Sequence, residues 1–210
     1  MAQPDLFGDI GLPAGVVHLP GFALARADTV LAAVEAVSRE AAFRKMQVPG
    51  GGTMSVAMSN CGRAGWVTDA SGYRYSEADP LTGKPWPAMP EVIADLAQEA
   101  ARTAGFAGFE PDSCLINRYE PGARMGLHQD RDERDRKQPI VSVSFGLPAT
   151  FLFGGAKRAD PQIKLALEHG DVVVWGGPAR LYYHGIAPLR DGVHPGLGRR
   201  RINLTLRHAL

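Results

Sequence analysis

Only two of the 210 residues are cysteine, Cys61 and Cys114. That excludes a disulfide framework and makes a reducing cytoplasm the natural compartment. No window approaches the ~20 apolar residues that a membrane span requires, so no membrane segment is expected. Met1 to Asp9 carries Asp5 and Asp9 without a basic leader or a long apolar run, and is not read as a signal peptide. Charge of one sign is missing too: 23 Lys and Arg against 22 Asp and Glu leave a net charge of +1. Such a balance neither announces nor excludes a nucleic-acid partner. There is no internal repeat, no low-complexity tract and no clear linker. What remains is an ordinary globular composition, 45% hydrophobic and 21% charged, at a length that fits one domain. A chain of this size buries roughly 70% of its unfolded surface without staples.

Two stretches carry a helical period. Asp28 to Ala42 offers Asp28 as N-cap and an apolar stripe of Val30, Leu31, Val34 and Val37. Pro90 to Ala104 opens on proline, ends before Gly105, and lines up Val92, Ile93, Leu96 and Ala100. Between them, Pro49 to Pro90 is rich in Gly, Ser, Thr, Asn and aromatics. It is too long for a plain loop, so irregular strands or a substrate-covering lid are expected. From Ser113 the period shortens. Strands are predicted at Ser113–Tyr119, Ile140–Leu147, Thr150–Phe153, Ile163–Leu167, Asp171–Trp175 and Arg201–Arg207. Short strands punctuated by Gly and Pro, with helices ahead of them, predict an α+β fold: a β-sandwich or jelly roll backed by the helices.

One triplet carries chemistry. His128-Gln129-Asp130, with a distant His184 in Tyr182-Tyr183-His184-Gly185, supplies two imidazoles and one carboxylate. That is the donor set that holds non-haem Fe(II) on one face and leaves the other open. In a strand, residues i and i+2 share a side, so His128 and Asp130 can reach one ion. His18, His169, His194 and His208 have no comparable partners. Alone, an HxD triplet is as readily a surface ion pair.

The terminal run Arg201-Ile202-Asn203-Leu204-Thr205-Leu206-Arg207 is less ordinary. Its alternation puts Arg201, Asn203, Thr205 and Arg207 on one face and three aliphatics on the other. If the aliphatic face is core and the other lines the interior of a small jelly roll, the guanidiniums need partners, because an unpaired buried charge costs several kcal/mol. A dicarboxylate such as 2-oxoglutarate would supply them in the forked geometry arginine prefers. Asn117 and Tyr119, an i, i+2 pair, offer neutral hydrogen bonds beside it.

Two further groups have bland and functional readings. Trp66, Tyr73, Tyr75 and Trp86 are packing, or a stacking wall for a flat substrate such as a nucleobase. Arg124, Arg131, Arg134, Arg136 and Lys137 are a solvated loop neutralised by Asp132, Glu133 and Asp135, or a landing site for an anionic substrate.

Taken together, several motifs resemble the bacterial AlkB proteins. They are Asn117-Arg118-Tyr119 with Pro121-Gly122, Leu127-His128-Gln129-Asp130, the run from Pro139 to Ser144, the run from Glu168 to Gly177, Tyr183-His184-Gly185-Ile186 and the terminal strand. Met54 to Gly62 and Trp86-Pro87-Ala88-Met89-Pro90 extend the likeness upstream, to about residue 15. The resemblance implies a double-stranded β-helix enzyme that repairs alkylated nucleic acid by oxidative demethylation of bases such as 1-methyladenine and 3-methylcytosine. It implies Fe(II), 2-oxoglutarate and O2 as the reacting set, with succinate, carbon dioxide and formaldehyde released. His128, Asp130 and His184 fall on the family's iron ligands, and Asn117, Tyr119, Arg201, Asn203 and Arg207 on its 2-oxoglutarate contacts. Trp66, Tyr73 and Asp132 fall on positions that hold the flipped base, with Trp66 and His184 expected to sandwich it. Met58 would line the same pocket and Arg158 lie near substrate, while Arg124, Gln129 and Arg131 match positions near the nucleic-acid backbone. Val48 and Gly52 depart from the family's lid, where a threonine and a tyrosine stand. The implied organisation is a tail over 1–14 and one domain over 15–210, with a lid at about 45–90 and a jelly-roll core at about 113–210. The implied partner is alkylated DNA, single-stranded by preference, with RNA left open; no membrane is involved and a monomer suffices. A 2-oxoglutarate hydroxylase of a protein or small molecule is the alternative.

Overall fold

Alternating inward and outward residues build two antiparallel sheets, seen in a computed structural model that describes residues 11–210. Residues 1–10, most of the expected tail, lie outside the described residues. The larger sheet has the order β1-β10-β7-β12-β5-β2, formed by β1 (Val16–Leu19), β10 (Val172–Trp175), β7 (Ile140–Gly146), β12 (Arg201–Arg207), β5 (Ser113–Tyr119) and β2 (Ala57–Gly62). The smaller sheet runs β6-β11-β8-β9, from β6 (Met125–His128), β11 (His184–Ile186), β8 (Ala149–Phe153) and β9 (Ile163–Leu167). A separate hairpin joins β3 (Gly65–Asp69) to β4 (Gly72–Ser76).

The expected amphipathic helices cover the outer face of the large sheet. They are α1 (Ala27–Glu40) and α2 (Glu91–Thr103). Val30, Val34 and Val37 of α1 and Ile93, Leu96 and Ala100 of α2 pack with Ile202, Leu204 and Leu206 in one buried cluster. The aliphatic face of β12 is therefore core, as its alternation predicts. The cap differs from expectation: Arg26 is the N-cap of α1, and Asp28 sits one residue inside the first turn with no capping hydrogen bond. A carboxylate there still complements the positive end of the helix. Pro90 is the N-cap of α2, one residue ahead of the predicted first-turn position.

The inner faces of the two sheets enclose a second cluster that includes Phe151, Phe153, Leu165, Trp175 and Ile186. Part of the stretch read as lid belongs to this core. β2 pairs with β5 over six residues, Ala57↔Arg118 through Gly62↔Ser113, and is almost wholly buried. Burial on both faces removes the polar alternation that marks a strand in sequence. Cys61 and Cys114 face each other in that register as free, buried thiols. Among the described residues no helix is long and apolar enough to cross a membrane.

Candidate active site

Cross-strand pairing brings the two histidines together. His184 at the start of β11 is the register partner of His128 at the end of β6, and their rings lie 4.4 Å apart. Gly185 makes this approach possible: a Cβ there would come within 2.7 Å of the Met125 carbonyl oxygen. β6 ends at His128, so Asp130 stands just beyond the strand, not within it as the i, i+2 argument supposed. Its carboxylate nevertheless reaches the same point. Asp130 Oδ1 is 3.6 Å from His128 Nε2 and Oδ2 is 3.7 Å from His184 Nε2. One ligand atom from each of the three lies within 4.8 Å of the others, the only such group found among the described residues.

The protonation states suit a metal. His128 Nδ1 is 2.9 Å from the Gly126 carbonyl and His184 Nδ1 3.0 Å from the Tyr182 carbonyl. A carbonyl can only accept, so each Nδ1 carries the proton and donates it, leaving the Nε2 lone pairs directed inward. Burial, reinforced by the neighbouring His128, pushes the His184 imidazole down to about 3. Burial alone would raise the Asp130 carboxyl, but Arg207 and the two histidines outweigh it and hold the group well below its ordinary range. Neutral imidazoles beside an ionised carboxylate are the states in which these groups ligate.

The polar face of β12 lines a narrow inner cavity together with Asn117, Tyr119, Ser142 and His184. Arg201 is 1% exposed, lies over the Tyr119 ring at 5.0 Å, and donates Nη2 to the Ser144 hydroxyl at 2.9 Å. Its Nε and Nη1 have no partner, nor have Arg207 Nη1 and Asn117 Oδ1. Burial lowers the Arg201 guanidinium from its ordinary value. A buried cation with two idle donors is complementary to a carboxylate, so these residues fit 2-oxoglutarate. Asn203 is committed otherwise: it accepts from Asn117 Nδ2 and Thr205 Oγ1, and donates to Ser142 Oγ and the Val143 carbonyl. Arg207 differs from Arg201 in having its charge already met. It donates Nε and Nη2 to Asp130 Oδ2 at 2.9 and 2.7 Å, and burial's penalty on its charge is outweighed by Asp130, Tyr75 and Glu133.

Outward of the triad lies a cavity of about 400 Å³. Met58, Trp66, Tyr73, Gln129, Arg131, Asp132 and Arg158 all line it, beside His128, Asp130 and Val48. Trp66 and Tyr73 stack at 5.7 Å, and Trp66 Nε1 donates to Asp132 Oδ2 at 3.1 Å. The imidazole on this wall is His128; His184 lines the inner cavity instead. The sandwich expected of Trp66 and His184 is thus available to Trp66 and His128, because the smaller sheet buries His184 and leaves His128 at its mouth. Arg124 is not part of the lining: it is exposed and bonds the Ser55 hydroxyl through its backbone N–H. Gln129 is tied to the Leu181 carbonyl and Arg158 to the Leu127 carbonyl, the latter over the Tyr183 ring. Tyr75, Glu133 and Arg180, none of which the sequence reading ties to the triad, form a largely buried network behind Asp130. Glu133, read as neutralising the arginine loop, meets Arg207 and Arg180 instead. The signal for them was weak: an acid and a tyrosine of no special spacing, in segments rich in both.

Two histidines and a carboxylate at the open end of a double-sheet barrel, above an arginine with idle donors, define an iron- and 2-oxoglutarate-dependent oxygenase. Residues 15–207 match the model of the 2OG-Fe(II) oxygenase superfamily. The chain is 56% identical to the alpha-ketoglutarate-dependent dioxygenase AlkB of Escherichia coli (strain K12), over 98% of this chain and 97% of that one. It therefore belongs to the AlkB family within that superfamily. Similarity extends to the mouse nucleic acid dioxygenase ALKBH1, 34% identical over 59% of this chain and 32% of that protein. Among solved structures, that of OsALKBH1 superimposes with a TM-score of 0.80 at 28% identity, covering 93% of this chain and 97% of the other.

Proposed function

We propose that this dioxygenase removes methyl groups from the ring nitrogens of alkylated bases such as 1-methyladenine and 3-methylcytosine in DNA, with RNA as a further substrate. One observation carries the reading: the cavity that opens on the triad is lined by a stacked aromatic pair, Trp66 and Tyr73, together with His128, the surface a flat base would stack on. When bound, iron would let dioxygen oxidise both 2-oxoglutarate, to succinate and carbon dioxide, and the methyl carbon, whose hydroxylated form leaves as formaldehyde. His128, Asp130 and His184 would hold the iron. Arg201, with Asn117 and Tyr119 near it, would bind the co-substrate in the inner cavity, and Arg207 would border it while restraining Asp130.

The remaining roles belong to the outer wall. Trp66 and His128 sandwich the base, Met58 closes the floor, and Asp132 offers a negative charge to lesions that are cationic when methylated. Asp132 also fixes Trp66 through the indole N–H, so stacking and charge recognition are oriented together. Arg131 and Arg158 at the rim face the phosphates, with Gln129 beside them. A base that has lost Watson–Crick pairing is the cheapest to extrude, by a few kcal/mol, which favours single strands and damaged sites. The chemistry asks for no residue from a second copy, and we read the protein as a monomer built as a single domain from about residue 15. The cytoplasm is the compartment that suits its free thiols and its substrate.

The test is anaerobic loading with Fe(II) and 2-oxoglutarate, followed by air and a single-stranded oligonucleotide carrying 1-methyladenine, read by mass spectrometry. The expected result is loss of one methyl that needs both additions and disappears in His128→Ala. Conversion of 2-oxoglutarate to succinate with the oligonucleotide untouched would instead favour a hydroxylase of another substrate.

A further inference from the structure

Four consecutive residues, Asp130 to Glu133, make more connections than holding a metal and facing a base require. Asp130 belongs to the triad. Asp132 accepts from Trp66 on β3, and Glu133 Oε1 accepts the Tyr75 hydroxyl of β4 at 2.7 Å. Trp66 and Tyr75 are register partners, so this segment grips both strands of the hairpin at one level. Glu133 Oε1 is also 3.4 Å from Arg207 Nε, and Arg207 holds Asp130 Oδ2 through two nitrogens. An unbroken polar path thus runs from Tyr75 through Glu133 and Arg207 to Asp130.

Arg180 locks this path from behind. It donates Nη2 to Glu133 Oε2 at 3.1 Å, Nη1 to the Asp130 carbonyl at 2.7 Å and Nε to the Gln138 carbonyl at 2.8 Å. The Glu133 and Arg180 side chains are 1% and 3% exposed. Two carboxylates and two guanidiniums balance, and taking away any one strands a buried charge. Burial keeps the Tyr75 phenol well above its ordinary value, so its O–H remains a donor. Removing the Tyr75 hydroxyl leaves its ring and its place opposite Trp66 in the hairpin register unchanged.

We propose that Tyr75 and Glu133 are positioning residues that couple occupancy of the base wall to the geometry of the metal-binding carboxylate. A base stacked on Trp66 and Tyr73 restrains the hairpin. Tyr75 passes that restraint to Glu133, and the Glu133–Arg207 contact fixes Asp130 Oδ2 so that Oδ1 faces the triad centre. The coupling is reciprocal: metal and co-substrate tighten the base to the extent that the base orders Asp130. The proposal rests on the base-repair reading for the nature of the occupant.

It is tested on Co(II)-loaded protein with 2-oxoglutarate, titrated with the 1-methyladenine oligonucleotide. Two quantities are read: displacement of the cobalt d–d bands, and the factor by which Co(II) with 2-oxoglutarate tightens oligonucleotide binding by anisotropy. In the unaltered protein the bands move and the factor is about 5-fold or more, the lower end of ordinary coupling. Tyr75→Phe keeps the ring and removes one oxygen. It is expected to leave the bands nearly still at saturation and bring the factor toward one, with oligonucleotide affinity in the absence of metal unchanged. Glu133→Gln does the same if it folds; Tyr75→Phe carries the test if it does not. Full band displacement and an intact factor in Tyr75→Phe overturn the proposal, as does an unaltered protein whose bands ignore the oligonucleotide. Failure of the base-repair reading shows elsewhere, as no methyl loss in the aerobic assay.

Discussion

The two cavities that meet at the triad are built on opposite plans. The inner one is cut into the large sheet, where every residue of β5, β7 and β12 is buried except Arg118. Its polar groups hold one another in place, and only a few atoms, chiefly on Arg201, are left idle. The outer one is walled by a two-stranded hairpin whose Tyr73 is 52% exposed and which is joined to its surroundings largely through side chains: Asn60 and Trp86 hold its backbone, and Asp132 and Glu133 of the loop after β6 hold Trp66 and Tyr75. A two-stranded ribbon is marginal by itself. The contrast shows how one molecule serves two demands. On the function proposed above, a co-substrate of fixed shape is met by a preorganised pocket, whereas the alkylated base meets a surface free to adjust.

This contrast can be broken from the inside first. Arg201→Met removes a buried cation without leaving a charge behind, so the protein should remain folded and 2-oxoglutarate binding should collapse. Losing one partner of a buried charged pair costs roughly 2–5 kcal/mol, about 30-fold or more in the 2-oxoglutarate KM. Steady-state kinetics at saturating oligonucleotide measure this, and an unchanged KM would mean that another group receives the carboxylate. The outer cavity should give a smaller and differently placed effect. Trp66→Ala deletes a stacking face worth about 1–3 kcal/mol, raising the KM for the oligonucleotide while slow turnover of 2-oxoglutarate without oligonucleotide stays as it was. Equal damage to both would show that the two cavities are not separable.

The smallest effect sharpens the comparison through pH. The His184 imidazole is depressed to about 3 in the fold, so between there and its ordinary value near 6.5 the unfolded chain binds the extra proton. Stability of the metal-free protein is therefore present above about pH 6.5 and is lost as the pH falls, by at most ~1.4 kcal/mol per unit. Urea midpoints at pH 7 and pH 5 check the sign. His184→Gln, which keeps a polar side chain but cannot titrate, should flatten the difference.

How much of this could be read beforehand follows the same division. The alternation of β5, β9 and β12 was legible over the residues they occupy, because one face of each meets a different environment from the other. The polar face of β12 led to the inner cavity for the same reason. β2 was illegible, since it is buried on both faces, and β1 is a four-residue edge strand with too few positions to show a period. The triad was legible as residue types, but the order of its histidines was not. Which imidazole lines the outer cavity depends on which end of the small sheet is open, and no local pattern encodes that. The network of Tyr75, Glu133 and Arg180 arises from segments up to 105 residues apart in the chain. Only tertiary packing makes those three neighbours.

Gly185 gives the site a weakness of an unusual kind. The spacing of the two imidazoles is set by how near β11 lies to β6, and that nearness needs a residue with nothing beyond its Cα. A scan of every substitution along the chain would score position 185 beside the ligands themselves, although it has no side chain with which to donate an electron pair. Its information content is a missing methyl group: a vacancy in the sequence that serves as a ruler for the metal.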